Sequence, residues 1–271
     1  MIGGRVGMAL AMTLAVVSAT AGEEARRPRA LLLVDGGSRL LAANRGTGTV
    51  SVVDLKARRV EAESKVGRGL SDLRATGDDA VMLAVDQAAG EVLLLRRDGG
   101  AIRREAAVAV AADPVHATVF GDGRRALVLS RWSRAATVVA WDAPEGLRVV
   151  GSLSLPFSPR EAAVPPGSPA SAVVVDAFGG RIALVDLDAR TCMRDWSLPE
   201  HNLRGPTPTP DGLGLAIVGQ HSGNAHAART SRQDVEWGLV TRPTIRILRI
   251  SDLRSSTTTD ADLLAGSRQA G

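Results

Sequence analysis

Asp72, His116, Glu161 and Arg204 stand at corresponding points of successive segments, within Leu70-Ser71-Asp72, Pro114-Val115-His116, Pro159-Arg160-Glu161 and Leu203-Arg204. Two carboxylates, an imidazole and a guanidinium brought to one place make a polar binding site, and a concave mouth is where such groups usually converge. A second set recurs at another point of the same segments: Asn44, Asp86, Asp176 and Gln220, with Arg45, Gln87, Arg131 and His221 beside them. The plainer account of both sets is that strands turning in water carry polar ends, and a fold alone does not imply a site. Hydrolysis of a glycosidic bond would need Asp72 and Glu161 to face each other as a carboxylate pair. No positioned partner supports that, so the eight residues are candidates for binding and no catalytic residue is assigned.

Other chemistries find less support. His221 and His226 lie five apart in a loop with Asn224, and Asp234 or Glu236 could complete a metal site of imidazole and carboxylate. Spacing fixes none of these partners, so solvated loop histidines are the simpler reading; no metal and no cofactor is assigned. Gly46-x-Gly48 resembles part of a dinucleotide loop, but the third glycine is missing and the segment leads into a strand. The phosphates of a dinucleotide need a helix N-terminus. No Walker loop, Gly-x-Ser-x-Gly elbow, His-Glu-x-x-His or Cys-x-x-Cys-His occurs, which excludes a c-type haem attached within these residues. Cys192 is the sole cysteine, has no nearby histidine to activate it, and reads as a half-buried structural thiol.

The elements that must position these groups are set by a repeat. Asp54, Asp98, Asp142 and Asp186 recur every 44 residues, each closing a short apolar run such as Val50-Ser51-Val52-Val53 or Ile182-Ala183-Leu184-Val185. Upstream of each lies a turn pair (Asp35-Gly36, Gly77-Asp78, Asp122-Gly123, Pro166-Gly167) and another apolar strand; Asp211-Gly212 opens a fifth unit. Glycine and Asn/Asp tolerate the positive φ of tight hairpins. Short strands repeating at this length read as blades of a β-propeller, since one blade cannot bury its own faces. The expected fold is all-β, a propeller of four-stranded blades at about 28–69, 70–112, 113–157, 158–201 and 202–253. The four periodic aspartates are structural in this reading: an Asp at a strand end accepts hydrogen bonds from the turn that follows.

The first unit resembles the YVTN β-propeller repeat. Leu41-Ala42-Ala43-Asn44, then Arg45-Gly46-Thr47-Gly48-Thr49-Val50-Ser51-Val52-Val53-Asp54, is similar to that family's strand end, turn and Thr-Val-Ser-Val-Ile-Asp strand. The match is close from Leu40 to about Val66 and looser over the rest of Pro28 to Leu253, where strand ends such as Asp86 and Asp176 replace the asparagine and no tyrosine occurs. The resemblance implies a ring of about seven blades, so about five here predicts an incomplete or open ring. It also implies association with a cytochrome or peroxidase module, because such propellers are joined to c-type cytochrome or di-haem peroxidase-like domains in some exported proteins. Thr230 to Gly238 is similar to an insertion found in such fusions.

The last unit is longer. Asp186 to Asp252 spans 66 residues, and the excess falls near 225–242, expected to form a loop over one face of the disc. Residues 254–271 are polar and rich in Ser and Thr, which predicts a tail and leaves the fifth blade without an outermost strand. At the other end, Arg5, the apolar stretch Val6 to Val17 and the small-x-small site Ala19-Thr20-Ala21 predict a signal peptide over 1–21 with cleavage after Ala21, followed by a solvated leader over 22–27. The mature protein is then expected to be periplasmic or extracellular, with no transmembrane segment.

Net charge is +4, but acids interleave with the bases along every blade, and aromatic residues make up 3%. Single-strand nucleic-acid binding needs stacking platforms, so nucleic acid is not an expected partner. Two function classes remain. The first is an exported, non-enzymatic scaffold binding a protein or small ligand. The second is the N-terminal propeller module of a larger secreted redox protein with its haem part elsewhere.

Overall fold

The computed structural model describes residues 25–142, 145–222 and 241–270. The chain forms five antiparallel four-stranded sheets, each built from consecutive strands. Blade 1 holds β1 (Pro28–Val34), β2 (Arg39–Asn44), β3 (Thr49–Asp54) and β4 (Arg59–Lys65). Blade 2 holds β5 (Leu70–Ala75), β6 (Val81–Asp86), β7 (Glu91–Asp98) and β8 (Ala101–Ala109). Blade 3 holds β9 (Pro114–Phe120), β10 (Arg125–Ser130), β11 (Ala135–Asp142) and β12 (Gly146–Ser154). Blade 4 holds β13 (Pro159–Ala163), β14 (Ser171–Asp176), β15 (Arg181–Asp186) and β16 (Thr191–Ser197). Blade 5 holds β17 (His201–Pro208), β18 (Gly214–Ser222), β19 (Thr241–Arg249) and β20 (Arg268–Ala270).

Strand composition follows position. The second strand of a blade packs on both faces, so it reads as a continuous apolar run, and every residue of β6 is buried. Outer strands alternate between exposed and more buried positions, as in β16, where Trp196 is the buried one. The periodic aspartates end the third strands, where Asp54 accepts the Ala57 N–H at 2.7 Å and Asp186 accepts those of Asp188 and Ala189. Gly46 and Gly48 serve backbone approach. A Cβ on Gly46 would sit 1.9 Å from the Ala25 carbonyl oxygen, and one on Gly48, at φ +63°, 2.3 Å from that of Gly67.

Apolar side chains form one core at each of four blade junctions. Leu41, Val52, Leu70 and Leu95 join blades 1 and 2; Leu83, Val92, Val128 and Trp141 join blades 2 and 3. Leu127, Leu129, Val174 and Val185 join blades 3 and 4; Val175, Trp196, Leu215 and Leu248 join blades 4 and 5. Among the described residues no such core joins blade 5 to blade 1. Leu33 on β1 is 61% exposed, and Val218 and Ile245 on the far face of blade 5 are 42% and 46% exposed, whereas Leu129 and Val175, which face the following blade from the second strands of blades 3 and 4, are fully buried. Among the described residues the ring has an open seam between its first and last blades.

The C-terminal segment is not a loose tail. Helix α1 (Ile250–Arg254) and helix α2 (Asp260–Gly266) fold back, and β20 then pairs with β19, Ile247 opposite Arg268 and Ile245 opposite Ala270. Leu253 and Leu263 bury against the core shared by blades 4 and 5, and Trp196 donates to the Thr258 carbonyl at 3.1 Å. The start of α2 is fixed by a capping box: Thr259 accepts from the Asp262 N–H while Asp262 accepts from that of Thr259. Thr259-x-x-Asp262 before Leu263-Leu264 was the signal that a reading of polarity alone passed over. The expected loop over 225–242 and the signal segment over 1–21 lie outside the described residues, save for Thr241 and Arg242 at the start of β19. Among the described residues no helix is long and apolar enough to cross a membrane.

Candidate functional site in the central channel

The innermost strands of all five blades face one cavity of about 390 Å³. Each of them carries a register shift near its start: between Pro28 and Ala30, Leu70 and Asp72, Pro114 and His116, Pro159 and Glu161, and His201 and Arg204. A bulge bends the strand and re-aims the side chains around it. The residues near these bulges, Arg29, Asp72, His116, Arg160, Glu161 and Arg204, line the cavity together with Arg74 and Arg131. The structure thus brings Asp72, His116, Glu161 and Arg204 onto one cavity. A larger groove of about 550 Å³ lies at the turns after β5 and β9, but only blades 2 and 3 line it.

Asp72 and His116 are locked into the scaffold. The Asp72 carboxylate accepts from the backbone N–H of Leu73 and Ala117 and from Arg74 Nε, each at 2.9 Å. His116 Nδ1 lies 3.2 Å from Asp72 Oδ2 and 3.0 Å from an Arg74 Nη. On the other side of the ring, Nε2 lies 3.0 Å from Thr118 Oγ1 and 3.3 Å from the Ala162 carbonyl oxygen, to which the Thr118 hydroxyl also donates. These contacts stitch blades 2, 3 and 4 together and leave neither ring nitrogen aimed at the cavity. Glu161 accepts the Gly205 N–H at 2.6 Å and so ties blade 4 to blade 5.

Burial by itself would raise the Asp72 carboxyl; the hydrogen bond and charge of His116, the charge of Arg74 and the Ala117 N–H outweigh it and hold the group below its ordinary value of 3.8. A carboxyl depressed in the folded state adds stability that is fully present above the unfolded value and is lost as pH falls through the folded one. Asp72→Asn is therefore expected to be less stable than the parent at neutral pH, with the difference shrinking below pH 3.8. Urea midpoints measured across the acid range check this, and a difference independent of pH would show that the lost contacts are not ionic.

The second set takes another place. Asn44 is buried and donates to Thr49 Oγ1 and Ser51 Oγ at 2.9 and 2.8 Å. Asp86 accepts the N–H groups of Arg68, Gly69 and Ala89, and Asp176 that of Phe178. Gln220 accepts from Asn202 Nδ2 at 3.1 Å. None of these four lines the cavity. Asn44, Asp86 and Asp176 each end a second strand and are buried, so they are satisfied locally, while Gln220 lies half-buried two residues before the end of β18.

What the sequence reading passed over is the arginine content. Five guanidiniums, of Arg29, Arg74, Arg131, Arg160 and Arg204, face the cavity against two carboxylates, of Asp72 and Glu161. Arg74 is paired with Asp72, and Arg131 lies 3.3 Å from Asp113. Arg160 donates to the Ala177 carbonyl at 2.9 Å, and its guanidinium is pushed below its ordinary value by burial and then by the like charge of Arg204, against the pull of Glu161, with Arg131 and Arg29 adding less. The readable signal was Pro28-Arg29 and Pro159-Arg160, the same dipeptide at the same point of two units.

Elsewhere the chemistry is quiet. Burial pushes the Cys192 thiol up, and Asp195 adds to it, so the group is a protonated, unreactive thiol at neutral pH. Among the described residues no three His, Cys, Asp or Glu side chains cluster to hold a metal ion; His226, Asp234 and Glu236 lie outside them.

The sequence matches no protein-family model and no curated protein. Solved structures do resemble it. Kuenenia stuttgartiensis hydrazine synthase superposes with a TM-score of 0.71 at 17% identity over 87% of this chain and 66% of that one. The likeness is one of fold. A protein from Lactobacillus plantarum gives 0.57 at 20% identity, covering 65% of this chain and 57% of its own. The periplasmic gluconolactonase of Pseudomonas aeruginosa gives 0.54 at 21% identity, covering 63% and 53%. This five-bladed propeller thus spans about two thirds or less of the length of those three chains.

Proposed function

We propose that this protein is an exported, non-enzymatic propeller of the YVTN type that binds a small ligand at its channel. One observation carries the reading: five inner strands, each with a register shift near its start, deliver polar side chains into a single cavity of about 390 Å³. Convergent polar groups in a concave site are the usual mark of ligand binding. The state of the titratable groups supports binding over catalysis. Asp72 and His116 are each held by backbone and neighbouring side chains, and one oxygen of Glu161 is taken by the Gly205 N–H. Export is supported by the apolar stretch and small-x-small site before Gly22.

The test is a thermal-shift panel of neutral, cationic and anionic solutes on the mature protein, repeated on Val115→Trp, which narrows the cavity. At least one solute is expected to raise the melting temperature of the parent and to lose that effect in the variant. A panel without any shift, or shifts that the variant retains, would overturn the reading. Intact mass and a visible spectrum of the exported protein separate it from a redox module: a much larger mass with a Soret band would make the propeller one part of a haem protein.

A further inference from the structure

The channel carries more positive charge than its own carboxylates neutralise, and the surplus is localised. Arg29, Arg160 and Arg204 belong to blades 1, 4 and 5. None of the three has a carboxylate partner among the described residues; Arg160 reaches only a carbonyl, and Arg204 only Asn202 Oδ1 at 3.4 Å. Arg29 and Arg204 are exposed and Arg160 is half-buried; burial and the like charge of Arg204 weigh on Arg160 more than the charge of Glu161 relieves it. A guanidinium presents a planar fork of donors that pairs with two oxygens of a carboxylate or phosphate at once. The three also stand on either side of the open seam, Arg29 on the first blade and Arg160 and Arg204 on the last two.

We propose that the channel binds a small multivalent oxyanion, held by Arg29, Arg160 and Arg204, which bridges blade 1 to blades 4 and 5 across the seam. This rests on the ligand-binding reading above and names the ligand's chemistry. A carboxylate or phosphate group of the ligand replaces water around Arg160, and a second anionic group reaches Arg29. Arg74 and Arg131 remain with Asp72 and Asp113 and line the wall. The cavity of about 390 Å³ admits a small solute and excludes a polymer.

Citrate and inorganic phosphate are the probes, with glucose and choline as neutral and cationic controls, at constant ionic strength. Calorimetric titration and thermal shift are expected to show citrate binding with no response to glucose or choline. Arg160→Gln and Arg29→Gln are each expected to weaken citrate by about tenfold to a hundredfold, the loss typical of unpairing a charge at a site. Without ligand, the same variants should melt at or above the parent temperature, because each removes a repelling charge; a purely structural arginine would lower it. Arg160→Lys keeps the charge, loses the fork, and should fall between parent and Arg160→Gln in affinity. Citrate binding that survives both glutamine variants would overturn the site. Choline or glucose binding that Val115→Trp abolishes would overturn the anion assignment while leaving the channel as the ligand site. No binding by any probe would remove both.

Discussion

Glu200→Ala is expected to destabilise the protein by about 3–5 kcal/mol, the cost of stranding one member of a buried ion pair. Glu200 is 2% exposed and Arg246 7%. Arg246 Nε lies 3.1 and 3.0 Å from the two carboxylate oxygens, and an Nη donates to one of them at 2.5 Å. The other Nη donates to Ser267 Oγ at 2.6 Å, so one guanidinium ties the entry of blade 5 to the segment that leads into its last strand. Removing the carboxylate takes away the charge that accepts three of these hydrogen bonds from the buried guanidinium. Nor is there slack for a shift: a Cβ on Gly219 would sit 2.8 Å from the Glu200 Cβ. At about 2–4 °C per kcal/mol for a chain of this size, the melting temperature should fall by roughly 6–20 °C. Replacing both partners by methionine should cost much less than the two single changes together, since the pair's charges are then removed as one. A single-variant loss below about 1 kcal/mol would show that water already reaches the pair.

The second large effect is a contrast between two leucines in equivalent inner strands. Leu73 is 2% exposed and packs in the core between blades 1 and 2; Leu33 is 61% exposed at the seam. Leu73→Ala should cost about 2–5 kcal/mol through lost burial and the cavity left behind. Leu33→Ala should stay within about 0.5 kcal/mol, as surface changes do. Urea denaturation of both variants decides the matter. A large loss at Leu33 would mean that the seam is covered in solution, by blade 5 or by another surface.

The repeat was legible because its markers are local. A turn pair followed by an apolar run marks each second strand, and an aspartate ends the third strand of blades 1 to 4, capping the next turn at Asp54 and Asp186; both markers are set within a few residues. Asp72, His116, Glu161 and Arg204 could be placed on one channel from this spacing, because equivalent points of a ring face its axis. Asn44, Asp86, Asp176 and Gln220 could not be placed on the same grounds. A polar strand end faces either the channel or its own backbone, and the choice depends on register and on which N–H groups lack partners, as at Gly69 for Asp86. The C-terminal strand was hidden for another reason. β20 is only three residues long and is brought to β19 by the burial of Leu253 and Leu263, so its signal lies in the packing of two short helices before it.

The open seam also determines how the molecule comes apart. In a closed ring every blade has two neighbours, and losing any one breaks two junctions. Here the described blades form a linear series of five with four cores between them, so blades 1 and 5 are held on one side and blades 2 to 4 on both. Opening from an end costs one core, while opening in the middle costs two. Amide protons of β10 should therefore exchange with solvent most slowly, those of β2 and β18 sooner, and the protein should unzip inward from its two ends.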